Sequence, residues 1–230
     1  AGCDDHDAGG AFTLTDASAE TRTYDLAPID EAQISTGVEA EITVGASQSV
    51  TVSSENGDFE DLIVKVENGR LVVKREWKGL GWGNKRRKNR YKVEAVVTDL
   101  NLLKVSSGSA VKARGVDGGD FELDISSGST TALEGAFDAI DIDASSGSSA
   151  RVEGACETVI VDVSSGSSVK AKDLTCENAV ADASSGASAV LYATQSVEAD
   201  ASSGASVTVY GGASQRELSR SSGGSVTVRD

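Results

Sequence analysis

The densest group of residues suited to binding a charged partner lies between Lys74 and Lys92. This stretch holds nine lysines and arginines against one glutamate, together with Trp77, Trp82 and Tyr91. Cations interleaved with aromatic rings favour polyanions such as acidic polysaccharide, lipid head groups or nucleic acid. The candidate binding patch is Trp77, Lys78, Trp82, Lys85, Arg86, Arg87, Lys88 and Arg90. The alternative is a variable loop whose charges pair with the protein's own acidic surface.

A row of carboxylates is the second candidate. The tripeptide Ser-Ser-Gly occurs seven times at intervals of 18 to 20 residues, and an aspartate lies two residues before five of the copies. These aspartates are Asp124, Asp143, Asp162, Asp182 and Asp200. Grouped carboxylates suit hard cations such as calcium, but such a row is also typical of a solvated negative face that keeps sheets from pairing. The glycine-aspartate nonapeptide of calcium-binding β-rolls is missing, so we predict no metal site.

The spacing of Ser-Ser-Gly also indicates the fold. The copies begin at Ser106, Ser126, Ser145, Ser164, Ser184, Ser202 and Ser221. Before most copies apolar and charged residues alternate, which is typical of a strand, and a second strand follows the glycine. About 19 residues at roughly 3.3 Å each give a coil perimeter of about 60 Å, enough for three short sides. We therefore predict an all-β solenoid, a parallel β-helix that is right-handed by the preference for right-handed crossovers.

The paired serines themselves have two interpretations. Stacked coils would align them into ladders of hydroxyl groups, each able to donate and accept a hydrogen bond along the axis. We expect these serines to be small side chains that fill a tight corner and satisfy one another. A polar track for a sugar or an ion is the alternative.

The chain divides into three parts by composition. Residues 1–22 read as a flexible tether, residues 23–100 as an N-terminal β region with the basic loop 74–92, and residues 101–230 as the β-helix repeats. The N-terminal β region is expected to cap the solenoid, as terminal repeats must. In it, Asn68-Gly69 signals a hairpin, and strands 70–75 and 91–98 are expected to form a second hairpin around the basic loop.

Three cysteines bear on the compartment. Cys156 and Cys176 each lie eight residues before a Ser-Ser-Gly, so stacking places their Cα atoms about 5 Å apart, within disulfide range. We predict this disulfide and an oxidising compartment, with two free thiols in a reducing cell as the alternative. Ala-Gly-Cys3 resembles the end of a bacterial lipobox, which makes Cys3 a candidate for lipidation; a tag remnant or an ordinary free cysteine is the alternative.

Charge and composition exclude some functions. The net charge of −15 disfavours non-specific nucleic-acid binding by the molecule as a whole. His6 is the single histidine and lies in the tether, so we expect no histidine-dependent active site. No run of about 18 apolar residues is present, so we expect membrane contact only through a lipid anchor. We predict no catalytic residues and no cofactor.

The motifs together resemble a known family of bacterial exported proteins, the putative autotransporter-adhesin head domain or head GIN domain. The resemblance runs from about Tyr24 to the C-terminus. It rests on the strand pair 29–44, the hairpin 64–73, the repeated Ser-Ser-Gly-Ser unit, and the closing segments Val207-Thr-Val-Tyr-Gly211 and Gly223-Gly-Ser-Val226. The resemblance implies a right-handed β-helix and an exported location, and it supplies no active-site motif.

The sequence therefore predicts a non-enzymatic cell-envelope protein that serves in adhesion or surface interaction, in the periplasm or on the cell surface. The expected partner is an anionic glycan, another envelope component or another protein. The alternative is a β-helix that binds or degrades polysaccharide, which would need a distinctive acid/base pair rather than a uniform carboxylate row. The strand edges at Val226–Val228 allow either a monomer or an end-to-end homodimer.

Overall fold

The computed structural model describes residues 19–76 and 89–229. These residues form eighteen strands and no helix, and therefore no helical membrane span. The strands are β1 (Glu20–Tyr24), β2 (Glu31–Ser35), β3 (Glu39–Val44), β4 (Ser49–Ser54), β5 (Leu62–Glu67), β6 (Arg70–Arg75), β7 (Tyr91–Val97), β8 (Leu102–Ser106), β9 (Ala110–Asp117), β10 (Asp120–Ile125), β11 (Thr130–Ala144), β12 (Ser149–Val163), β13 (Ser168–Lys170), β14 (Leu174–Ala183), β15 (Ser188–Ala201), β16 (Ser206–Tyr210), β17 (Gln215–Arg220) and β18 (Ser225–Val228).

Parallel strands stack into two long faces. The first face consists of strand segments that precede each Ser-Ser-Gly, from β2 and β8 to β17. The second face consists of segments that follow it, from β3 and β9 to β18. The long strands β11, β12 and β15 bend from the second face into the first face of the next coil. The all-β solenoid with coils about 19 residues apart is confirmed.

Alternate side chains of each strand fill a narrow core. In the first face Leu123, Ile142, Val161, Ala181 and Ala199 lie in register across five coils and are at most 2% exposed. The intervening side chains point to solvent and include the aspartate row. Because side chains alternate with period two, this register fixes which residues are buried and which face the solvent.

The Ser-Ser-Gly corners differ from the expectation. In each copy the second serine and the glycine both adopt positive φ, 57° at Ser107 and 72° at Gly108 for example, and both are exposed. The prediction that the paired serines fill the corner is therefore wrong. The residue after the glycine does so instead: Ser148 is buried, and its hydroxyl donates to the carbonyl of Ile125 at 3.1 Å and lies 3.4 Å from the Ser167 hydroxyl.

The N-terminal end of the stack is out of chain order. β2 lies between β6 and β8, and β3 lies between β7 and β9. The expected hairpin of strands 70–75 and 91–98 is therefore wrong, because β6 belongs to the first face and β7 to the second. Antiparallel strands close this end: β5 pairs with β6, β4 with β7, and β1 with β4. The predicted β cap and the hairpin at Asn68-Gly69 are confirmed.

The predicted disulfide joins neighbouring coils. Cys156 of β12 pairs in register with Cys176 of β14, their Cα atoms are 4.6 Å apart, and their sulfur atoms are bonded. Closing a loop of this length stabilises a protein by about 3 kcal/mol in the chain-entropy model.

One buried hydroxyl yields a stability prediction. Thr131 is 4% exposed in an inward column between Val111 and Ala150, and among the described residues its Oγ1 is the one buried side-chain polar atom without a hydrogen bond. Because an unsatisfied buried hydroxyl costs about 1–3 kcal/mol, Thr131→Val should raise the midpoint of urea unfolding. The matched control Ser148→Ala removes a hydrogen-bonded hydroxyl and should lower it. A lower midpoint for Thr131→Val would contradict this assignment.

Candidate interaction site

The basic patch lies mostly outside the described residues. This applies to Trp77, Lys78, Trp82, Lys85, Arg86, Arg87 and Lys88, which belong to the segment 77–88. Arg90 is described: it is exposed, and its guanidinium lies 3.7 Å from the carboxylate of Glu55. What the structure does show is how the chain enters and leaves the basic segment, as we call residues 77–88.

The basic segment replaces a corner of the solenoid. β6 pairs with β2 so that Val73 lies opposite Ile34, and β7 pairs with β3 so that Lys92 lies opposite Glu39. Four residues separate Ile34 from Glu39, whereas eighteen separate Val73 from Lys92. The ordinary corner at this position contains Thr36 and Gly37, both with positive φ. The basic segment is thus an insertion in the corner of the outermost coil, at the end of the row of Ser-Ser-Gly corners.

An acid clamp, formed by Asp61, Arg75 and Tyr91, joins the two chain ends that border the insertion. The Arg75 guanidinium donates two hydrogen bonds to Asp61 Oδ2, from Nε at 2.9 Å and from Nη2 at 2.6 Å. The Tyr91 hydroxyl donates to the other oxygen, Asp61 Oδ1. Because Arg75 precedes the basic segment and Tyr91 follows it, one carboxylate holds both ends.

A second group of hydrogen bonds fixes the return of the chain. Asn89 is 6% exposed, and its side-chain amide donates to Ser54 Oγ at 2.9 Å and to the Asp58 carbonyl at 2.6 Å. Arg75 Nη1 donates to the Asn89 carbonyl at 3.4 Å, which links the two groups. The backbone amide of Glu76 donates to the Asp61 carbonyl at 2.6 Å. The basic segment therefore begins and ends at fixed positions on the cap.

The clamp shifts the acidity of its members. Partial burial works against ionisation of Asp61, but the hydrogen bonds from Tyr91 and Arg75 outweigh it and lower the pKa of this carboxyl. Burial and the hydrogen bond to the Asp61 carboxylate raise the pKa of the Tyr91 hydroxyl well above its usual range. Both shifts favour the charge states that hold the clamp together at neutral pH.

The aspartate row lies on the first face as predicted. Asp124, Asp143, Asp162, Asp182 and Asp200 are paired in register on neighbouring strands. Lys104 ends the row, with its ammonium 3.0 Å from Glu122 and 3.3 Å from Asp124. Partial loss of hydration and the negative charges of Asp141, Asp162 and Asp124 raise the pKa of Asp143. Within residues 19–76 and 89–229 no group of three or more acidic, histidine or cysteine side chains has the geometry of a metal site.

Sequence reasoning missed the clamp. Asp61 is 14 residues from Arg75 and 30 from Tyr91 in the chain, and no motif spacing connects them. The one available signal is that Arg75 and Asn89 flank the basic segment within two residues. Polar side chains are expected there, because the chain ends on either side of a long insertion must be held in place.

Stacked parallel coils, a strand cap and an inter-coil disulfide define a disulfide-linked β-solenoid. The chain belongs to the family described as "Putative auto-transporter adhesin, head GIN domain", which matches residues 29–213. This confirms the family resemblance drawn from the sequence. No curated protein matches the chain in sequence.

Solved structures share the fold. A putative adhesin from Bacteroides fragilis superposes with a TM-score of 0.83 at 13% identity, covering 92% of this chain and 97% of the other. A putative lipid binding protein from Parabacteroides distasonis gives 0.70 at 17% identity, and a putative adhesin from Parabacteroides merdae gives 0.71 at 12%; each match covers 93% of this chain and 97% of the other. At these identities the likeness concerns the fold alone.

The family and the disulfide bear on location. An adhesin-like family implies an exported or surface protein, and a disulfide between stacked coils fits a compartment outside the cytoplasm. Cys3, the predicted lipidation site, lies outside the described residues, so lipidation stays a prediction.

Removing the clamp carboxylate should destabilise the cap. Asp61→Asn leaves Arg75 without its anionic partner, and hydrogen bonds to charged groups contribute about 1.5–3 kcal/mol, so we expect a loss of about 2 kcal/mol in urea unfolding. Since the pKa of Asp61 is lowered by folding, this contribution is present at neutral pH and is lost as the pH falls through the folded-state value. The exposed neighbour Glu60→Gln is the control and should change little. Equal stability of both variants would contradict the clamp.

The aspartate row should destabilise the solenoid at neutral pH. Folding raises the pKa of Asp143, so the folded state binds its proton more tightly and stability falls as the pH rises through the folded-state value. Asp143→Asn should therefore raise the melting temperature at pH 7, and the gain should vanish below about pH 3, where the carboxyl is protonated in both states. Asp138→Asn, outside the row, is the control. A pH-independent effect would refute this account.

Proposed function

We propose that this chain is a non-enzymatic adhesin module of the cell envelope, and that the basic segment binds an acidic polysaccharide. The observation that carries the proposal is the insertion of residues 77–88 into a clamped corner of the outermost coil. The segment adds five cations and two tryptophans without a single acid, in a chain of net charge −15. The neighbouring cations of this segment repel one another, which lowers stability. Such a cluster is expected where a bound polyanion neutralises its charge.

The position of the insertion supports a role in contact with a large partner. The clamp anchors both ends on the cap, at one tip of an elongated solenoid, and a rigid base limits the conformational entropy that binding must overcome. Lipidation of Cys3 would tether the N-terminal residues to a membrane and leave the solenoid to project into the envelope. Because β1 pairs with β4 and β4 with β7, such a tether would leave the solenoid at the same end of the stack as the basic segment.

A non-enzymatic role is supported by the uniformity of the carboxylates. Hydrolysis of a glycosidic bond needs one acid and one base in different environments at a defined separation. The row on the first face repeats one residue type at the inter-strand spacing of about 4.8 Å, and Lys104 ion-pairs at its end. A polysaccharide-degrading β-helix is the second candidate, and an assay for new reducing ends in uronic-acid polymers discriminates between the two.

The experiment removes charge from the basic segment. Arg86→Ser/Arg87→Ser should weaken binding to polygalacturonate at least about tenfold in calorimetric titration, and the remaining binding should fall steeply with salt. The matched control Arg216→Ser/Arg220→Ser removes two arginines from β17 at the opposite end of the stack and should change affinity less than about twofold. Unchanged binding by the first variant would refute the role of the segment.

A further inference from the structure

A cluster of aromatic and basic side chains lies on the second face near the C-terminal end of the stack. Tyr192 of β15 and Tyr210 of β16 are paired in register, one coil apart. Lys172 Nζ lies 4.2 Å from the centroid of the Tyr210 ring, and Arg229 Cζ lies 5.8 Å from the same centroid. We call Lys172, Tyr192, Tyr210 and Arg229 the tyrosine–cation surface.

Among the acids that the structure describes, none neutralises the two cations of this surface. Lys172 and Arg229 are exposed, and among residues 19–76 and 89–229 neither forms an ion pair or a hydrogen bond through its side chain. Because both approach one ring, their charged groups lie no more than about 10 Å apart and repel each other. Contact with the face of Tyr210 holds them in place, and an anion between them would remove the repulsion.

The aromatic rings add a second kind of contact. A Cβ at Gly211 would lie 2.9 Å from Cε1 of Tyr192, so the tyrosine ring packs against the bare backbone of the next coil. Tyr192 and Tyr210 are half-buried, and their hydroxyls have no hydrogen-bond partner in the described part of the chain. The other outward side chains of these strands are mostly serines and threonines, namely Ser188, Ser206, Thr208, Ser225 and Thr227, together with Val190.

We propose that the tyrosine–cation surface is a second binding site for an acidic polysaccharide chain. A carboxylate or sulfate of the chain pairs with Lys172 and Arg229, sugar rings pack on the tyrosine rings, and the free hydroxyls bond to sugar oxygens. The choice of polymer rests on the proposed function, but the residues are separate from the basic segment.

Charge directs the polymer to this side of the solenoid. The first face carries the aspartate row, which repels a polyanion, whereas no acid belongs to the second-face segments 188–192 and 206–210. The neighbouring acid Asp173 is already paired with Arg151 at 2.8 Å. Between the two sites the second face carries both acids, Glu41, Glu134 and Glu153, and cations, Lys112, Arg114 and Arg151. A polyanion that spans both sites is therefore repelled less by the second face than by the aspartate row of the first face.

The separation of the two sites makes binding depend on polymer length. Seven inter-strand steps lead from β7, which follows the basic segment, through β3, β9, β11, β12, β13 and β15 to β16. At about 4.8 Å a step the distance is roughly 34 Å. A long chain can bind both sites at once, and its affinity rises because the first contact increases the effective concentration of polymer at the second site. A trisaccharide is too short to reach both sites.

The test compares polygalacturonate with the galacturonic acid trisaccharide in calorimetric titration. Lys172→Ser/Arg229→Ser should weaken polymer binding about tenfold and leave trisaccharide binding at the basic segment unchanged. Tyr210→Leu keeps both cations but removes the ring that positions them, and should also weaken polymer binding. The matched control Arg216→Ser/Arg220→Ser removes two arginines of β17, which lies on the first face at the same end of the stack, and should change affinity less than about twofold.

The outcomes separate this site from the basic segment. Weaker polymer binding in Lys172→Ser/Arg229→Ser together with an unchanged Arg86→Ser/Arg87→Ser variant would support this site and refute the basic segment. Unchanged polymer binding in Lys172→Ser/Arg229→Ser refutes this site while leaving the basic segment intact. An equal loss in the Arg216/Arg220 control also overturns the proposal, since general charge would then explain the binding. Circular dichroism melting of each variant verifies the fold.

Discussion

The hydrogen bonding of each coil to the coils above and below it is the constraint on which the rest of the structure depends. Inward residues of the C-terminal coils such as Ala181 and Ala199 are small and supply little burial individually, so the parallel ladders must hold a strict register. A shift by one residue would turn every apolar side chain outward. The corners keep this register because Ser107 and Gly108, and their equivalents, reverse the chain in two left-handed residues. The glycine amide then donates to the serine carbonyl of the next coil, at 3.1 Å from Gly108 to Ser127.

This constraint also determines where variation is tolerated. The strands cannot change length without losing register, but a corner is exposed and can be extended. The basic segment extends such a corner in the outermost coil. Asp61, Arg75 and Tyr91 hold together the chain ends on either side of it, so β6 and β7 keep their strand register. Surface side chains between fixed strands are equally free, which allows the first face to carry aspartates and the second face to carry Lys172, Arg229 and two tyrosines. The solenoid thereby becomes a scaffold whose two faces differ in charge.

The sequence predicts the features that follow from periodicity. Counting residues along the repeat predicts the alignment of Cys156 with Cys176, the aspartate row and the apolar columns, because coils of equal length must align. Asn68-Gly69 is predictable from its local turn chemistry. The position of β2 between β6 and β8 is not predictable, since it depends on pairing between strands far apart in the chain, and neither is the Asp61 clamp. The burial of the residue after the glycine, a serine in four copies and an alanine in two, is not predictable from the triplet, because it depends on the positive φ of the two residues before it.

Replacing residues 77–88 with a neutral glycine-serine segment of equal length tests the account most directly, because it separates the scaffold from its insertion. The measurement is the melting temperature of this variant together with its affinity for polygalacturonate. The account predicts a melting temperature within a few degrees of the parent, since the clamp and every ladder remain, and a large loss of affinity. Retained affinity, or collapse of the solenoid, would contradict the claim that the coils provide the framework and the inserted corner provides the binding.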